Sequence, residues 1–144
     1  MGLRERFRYE ITSLNPEVTG SCHLITVHYP DGRMTNFIVD SGLYQEAEYS
    51  HLNDRKLPFS CEKIKFVLIT HNHADHMGRL PYLVRSGFQG PIYATTETTR
   101  LMKTALHDSF GILKDEAERR KRKPPYDETD LQRTFEMFMN CEFD

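Results

Sequence analysis

Four side chains able to hold a metal ion, His71, His73, Asp75 and His76, crowd into one short segment of the stretch Ile64–Leu83. Imidazole nitrogen and carboxylate oxygen bind zinc and similar divalent ions at about 2.0 to 2.2 Å. Alternate residues of an extended loop point the same way, so His71 and His73 can share one ion, while Asp75 and His76 face a second position. The competing reading is a polar loop of solvated histidines, and the density of the cluster favours metal. The spacing differs from that of a helical His-Glu-x-x-His site, because here the acidic residue is itself a ligand candidate.

The elements that must position this cluster are legible on both sides of it. Ile64, Phe66, Val67, Leu68 and Ile69 form an apolar run too short for a helix, and predict a strand buried on both faces. The cluster then lies at the strand's carboxyl end, the place where open α/β sheets bind ligands. Met77 to Ser86 reads as the following helix, with Pro81 near its start and Gly87 as its C-cap. Earlier in the chain, the alternation of Phe7, Tyr9 and Ile11 with polar residues predicts a half-buried strand. Cys22–Tyr29 and Met34–Val39 pair through a Pro30-Asp31-Gly32 turn, and the second of these delivers Asp40 to its end. Taken alone, Asp40-Ser41-Gly42 is ordinary turn chemistry. Tyr44–Ser60 reads as a connecting loop with a helical turn, and Ile92–Ala94 as a short strand. A long helix follows, opened by Thr95 or Thr96, with Leu101, Ala105, Leu106, Phe110, Leu113 and Ala117 on its inner face. Pro124-Pro125 ends it. A final helix opens on a capping box at Thr129–Gln132 and shows Leu131, Phe135 and Phe138 on one face, with Met137 and Met139 read as core. The last residues, from Cys141, are expected to begin a strand.

His71-Asn72-His73-Ala74-Asp75-His76 resembles the His-x-His-x-Asp-His signature of the metallo-β-lactamase fold, a sandwich of two sheets flanked by helices. The flanking segments Val18–Ile25, Val39–Gln45, Gly78–Leu83 and Gly90–Thr95 are similar to the β-CASP branch, and within it to nucleases related to the cleavage and polyadenylation specificity factor endonuclease. The resemblance implies an α/β fold with a mixed sheet and flanking helices. It further implies two zinc ions that activate water for attack on RNA phosphodiester bonds, His71 and His73 holding one ion and Asp75 and His76 the other. Asp75 and Asp40 are the carboxylates it assigns to catalysis, Asp75 orienting the nucleophile and Asp40 supporting the metal loop through hydrogen bonds. Members often carry Cys where this chain has Ser41. The family's third metal-binding His, its bridging Asp and the β-CASP insert lie further along than Asp144, so residues 1–144 correspond to the N-terminal half of a lactamase domain. Weak metal occupancy and little hydrolysis are therefore expected of the chain by itself. A half sandwich also leaves one sheet face uncovered, from which a homodimer is expected.

Composition narrows the alternatives. With 144 residues, 38% hydrophobic and 28% charged, the chain is long enough for one domain with a core and has no run approaching a membrane span. A net charge of −2 offers no global attraction to nucleic acid, so contact with RNA has to be local. The basic run Glu118–Lys123 reads first as a helix end, its cations paired four residues apart with Asp115, Glu116 and Glu118. Three cysteines without metal or redox spacing suit a reducing compartment and predict the cytoplasm. His23, His28, His51 and His107 read as ordinary histidines, and small residues at Gly20-Ser21 would let backbone approach a phosphate. Two rivals stand beside the RNA hydrolase: a thioesterase-like metallohydrolase, disfavoured by Arg79-Leu80-Pro81 after the motif, and a metal-free interaction module.

Overall fold

A computed structural model describes residues 6–15 and 17–142. Six strands, β1 (Arg8–Ser13), β2 (His23–His28), β3 (Met34–Val39), β4 (Ile64–Leu68), β5 (Ile92–Thr95) and β6 (Phe138–Cys141), lie side by side in sequence order. The first three pair antiparallel, as hairpin connections allow, and Gly32 makes its turn at φ 85°. From β3 onward every pair is parallel. Parallel neighbours require crossovers. These are the loop 40–63 with its 3₁₀ turns Ser50–Asp54 and Cys61–Lys63, then α1 (Ala74–Met77) and α2 (Leu80–Arg85), then α3 (Thr96–Arg119) and α4 (Glu128–Glu136). The result is a mixed α/β sheet with flanking helices, the class read from the sequence.

The core lies between the sheet and these helices. Ile38, Val67 and Ile92 stand in register across β3, β4 and β5, all shielded from water. They join one cluster with Leu80, Leu83 and Val84 of α2, Met102 and Leu106 of α3 and Leu131 of α4. Each such side chain contributes about 1.5–3 kcal/mol by leaving water. Among the described residues no helix covers the opposite sheet face. Phe37 stacks on Phe66 at 4.6 Å, Phe66 meets Tyr93 edge-on at 6.0 Å, and Tyr9, Ile11, Leu68 and Met139 extend the row across the strands.

This bare face explains where expectation and structure differ. β4 is covered on one side only, with Leu68 exposed, although its apolar run reads as buried on both. β1 is exposed at every residue rather than half-buried, because its apolar side, with Ile11 73% exposed, belongs to the uncovered face. Met139 is exposed there too, not core. Other corrections are local. The helix expected over Met77–Ser86 is broken in two, because the Arg79 N–H bonds to the Ser41 carbonyl at 2.8 Å instead of continuing the turn. Gly87 does end α2, at φ 111°. α3 turns Met102 inward and leaves Leu101 exposed. α4 is capped by Asp127 with Asp130, two residues earlier than expected, since each side chain reaches the other's N–H at 3.0 Å. Of the three ion pairs read at the end of α3, Glu116–Arg120 is present at 2.6 Å. Arg119 donates to the Asp115 carbonyl instead, and Arg122 pairs with Asp54. Pro16 and residues 143–144 lie outside the described residues.

Candidate metal centre

The carboxyl ends of β3 and β4 meet at Asp40. Its backbone N–H bonds to the Leu68 carbonyl at 2.9 Å, and its carboxylate accepts from the Thr70 N–H at 2.9 Å. Asp40 turns there at φ 62°, a left-handed conformation that costs most residues about 1–2 kcal/mol and Asp less. The turn carries the chain away while leaving the side chain only 2% exposed beneath the histidine loop.

The loop runs from Thr70 to the short α1. A four-residue helix cannot satisfy its own carbonyls, and here loops from elsewhere in the chain do so. Ser21 N–H donates to the Asp75 carbonyl at 2.8 Å, Ser41 N–H to that of His76 at 2.8 Å and Leu43 N–H to that of Ala74 at 2.9 Å. Gly42 passes so close that a Cβ would lie 1.7 Å from the Asp75 oxygen. The Ser21 N–H expected to face a phosphate is therefore engaged in holding α1.

These contacts bring the predicted side chains together. The His71 ring lies 3.9 Å from His76 and 4.6 Å from His73, centroid to centroid, and His76 Nε2 is 3.4 Å from Asp75 Oδ2. His76 Nδ1 stands 2.7 Å from Asp40 Oδ2. A carboxylate only accepts, so His76 donates from Nδ1 and keeps a lone pair on Nε2. Thr70 extends the same logic. With its hydroxyl donated to Asp40 at 2.9 Å, its oxygen accepts from His71 Nδ1 at 3.0 Å, which leaves the Nε2 of His71 free as well. One buried carboxylate thus sets the tautomer of two imidazoles, directly and through a hydroxyl. Ser21 Oγ adds a further donor to Asp40 at 3.3 Å.

The donor chemistry fits a divalent cation, since imidazole lone pairs and a carboxylate converge from one loop. Even so, among the described residues no three His, Cys, Asp or Glu side chains stand together in an arrangement that would hold one. No nearby thiol adds to the set. Burial pushes the Cys22 thiol up to about 12, so it remains a neutral thiol rather than a thiolate ligand. Cys61 is also buried, and Cys22, Cys61 and Cys141 are all free.

Motif reading missed Thr70, and it named Ser21 and Gly42 without their roles in holding α1. Thr70 had a signal, as a hydroxyl between the strand and the first histidine. The clash at Gly42 arises from a loop more than thirty residues away and leaves no local trace.

Residues 15–141 match the metallo-beta-lactamase superfamily model, and the chain belongs to that superfamily. Its relatives by sequence carry RNA-processing names. A ribonuclease of Thermus thermophilus is 40% identical over 97 residues, covering 67% of this chain and 21% of that protein. A transcription termination factor of Methanocaldococcus jannaschii is 34% identical over 117 residues, covering 81% of this chain and 17% of the relative. Among solved structures, the metallo-β-lactamase MIM-2 aligns at a TM-score of 0.42 with 27% identity, over 60% of this chain and 30% of that one. The chain therefore spans about a fifth of the length of the curated relatives it matches.

Proposed function

We propose that these 144 residues are the metal-loop half of the lactamase domain of a metal-dependent hydrolase of RNA phosphodiester bonds, acting in the cytoplasm and having little activity by themselves. The observation that carries this reading is the convergence of His71, His73, Asp75 and His76 over Asp40 in a chain related to ribonucleases. In it, His71 and His73 would hold one zinc ion, and Asp75 and His76 the other. Bound zinc would lower the pKa of water toward about 7 and neutralise charge building on the phosphoryl oxygens. The chain's own contribution is orientation. Asp40 and Thr70 fix both imidazoles with Nε2 outward, and the Asp75 carboxylate, one-fifth exposed, is open to position a water. The β-CASP insert and the C-terminal half of the domain would supply the remaining ligands and the RNA path.

Structural zinc sites use four protein ligands and catalytic ones three, whereas this loop offers two per ion. We expect substoichiometric zinc by elemental analysis, reduced further in His73→Ala, and no cleavage of RNA, thioester or lactam substrates by the 144-residue protein. Zinc-dependent RNA cleavage lost in His73→Ala would contradict the predicted inactivity and support the nuclease. Thioester cleavage would replace the nuclease with its rival. That no three-donor group stands together among the described residues favours a second reading, a metal-free interaction module, which a zinc content indistinguishable between the chain and His73→Ala would support.

The bare face belongs to the same proposal. Its apolar row is the same on every copy and a net charge of −2 opposes pairing only weakly, so a second copy of the chain is the occupant we assign to it. Light scattering should give a dimer at micromolar concentration, and a monomer that binds no hydrophobic dye would refute it.

A further inference from the structure

Behind the metal loop the fold buries a cation that touches no carboxylate among the described residues. Arg79 follows α1 and is 9% exposed. Tyr82 lies under its guanidinium, 5.0 Å from carbon to ring centroid, and one Nη donates to the Arg55 carbonyl at 2.7 Å. Nε is buried with no acceptor, and none of the ion pairs among the described residues involves Arg79. Charges removed from water are normally paired, because lost hydration costs several kcal/mol. Desolvation lowers the pKa of Arg79, but a guanidinium stays protonated in proteins. The described residues thus bury a positive charge with no carboxylate in direct contact, Asp54 acting on it only through space.

The same side chain lines an open crevice of about 400 Å³. Ser13 and Asn15 from the end of β1, with Tyr44, supply polar neutral groups, and Arg55 and Lys56 stand exposed on the rim. No Asp or Glu lines it. Asp54, next to Arg55 in sequence, acts on Arg79 only through space and is itself engaged by Arg122 from beyond α3. Three cations around one crevice exceed what a single carboxylate would neutralise. They match a phosphate, whose oxygens a guanidinium fork and an ammonium can share.

We propose that this crevice is a phosphate-binding site, with Arg79 as its buried anchor and Arg55 and Lys56 closing over the bound group. None of the loop histidines lines it, so it is separate from the metal centre and stands whether or not that centre hydrolyses RNA. The phosphate can belong to an RNA backbone or to a small phosphate ester.

Titration of the 144-residue protein with inorganic phosphate, acetate and a single-stranded hexaribonucleotide, by calorimetry and by thermal shift, tests the site. Phosphate should bind and raise Tm, as any ligand of the native state does, and should bind more tightly than acetate. Arg79→Gln should weaken phosphate by about tenfold or more, in line with the strength of charge-assisted bonds. Because that substitution also touches the fold, Arg55→Ala/Lys56→Ala provides a second readout. Both residues are exposed, so Tm without phosphate should hold while phosphate binding falls several-fold. If the hexaribonucleotide binds in competition with phosphate, and the rim variant lowers its salt dependence by about two phosphate contacts, the source is RNA backbone. Phosphate binding without RNA binding assigns a small ester. Acetate binding as tight as phosphate, no phosphate binding by the wild-type chain, or equal binding by all variants would overturn the proposal.

Discussion

Gly42→Ala is expected to cost the chain most of its stability. The added Cβ would lie 1.7 Å from the Asp75 carbonyl oxygen, 2.1 Å from its carbon and 2.7 Å from the His76 nitrogen. All three are backbone atoms, so no side-chain rotation relieves the overlap. The loop has to move by more than an ångström, and it carries two bonds that satisfy α1, Ser41 N–H to His76 and Leu43 N–H to Ala74, together with Gly42 N–H to the Ser21 carbonyl. Each buried group left without its partner costs about 1–3 kcal/mol. Losing several together amounts to more than about 4 kcal/mol, a large share of the 5–15 kcal/mol typical of a domain. Gly111→Ala is the internal control. Nothing lies within 4 Å of its Cβ position and it sits within α3, so alanine there should stabilise by roughly 0.5–1 kcal/mol. Urea unfolding of the two variants checks both signs, and a Gly42→Ala midpoint close to wild type would refute the packing described here.

What could be read in the sequence follows from the range of the interactions that decide it. The histidine cluster, the β2–β3 hairpin with its Gly32 turn and the long α3 rest on short-range patterns, so they were legible. The helix expected over Met77–Ser86 begins only at Leu80, and the loop before it holds the short α1, because the break depends on the Ser41 carbonyl, nearly forty residues before Arg79. β1 and β4 were read as more buried than they are because periodicity reports which side is apolar, not whether anything covers it. In the row from Tyr9 to Met139, apolar in sequence, Tyr9, Ile11, Leu68 and Met139 are exposed in the fold and the stacked rings of Phe37, Phe66 and Tyr93 are half-buried. The anchoring roles of Thr70 and Ser21 stayed hidden for the same reason as the clash at Gly42. Asp40 lies thirty residues before Thr70, and spacing over such a distance carries no periodic signal.

Asp40→Asn should leave the chain folded and reverse the imidazole it orients. The wild-type carboxylate accepts from Thr70 N–H, the Thr70 hydroxyl, Ser21 Oγ and His76 Nδ1, and is nearly sealed from water. Asparagine tolerates the backbone at φ 62° and retains one oxygen, which can keep the Thr70 N–H. Its NH₂ group then faces His76 Nδ1, and two donors cannot pair. The imidazole resolves the conflict by accepting at Nδ1 and carrying its proton on Nε2, the atom wild type leaves free for a cation. Stability should fall by about 1–2 kcal/mol through the weakened network. Zinc affinity, small as it is in this chain, should drop about 10–100-fold, as for other residues that orient a metal ligand. Asp40→Ala separates orientation from folding. It strands Thr70 and His76 in a buried site and places alanine in a left-handed turn, so it should cost about 3–5 kcal/mol. Long-range proton–nitrogen NMR of the imidazoles reads the tautomer without metal. His76 should show its proton on Nδ1 in the wild type and on Nε2 in Asp40→Asn, and an unchanged His76 spectrum would remove Asp40 from control of the site.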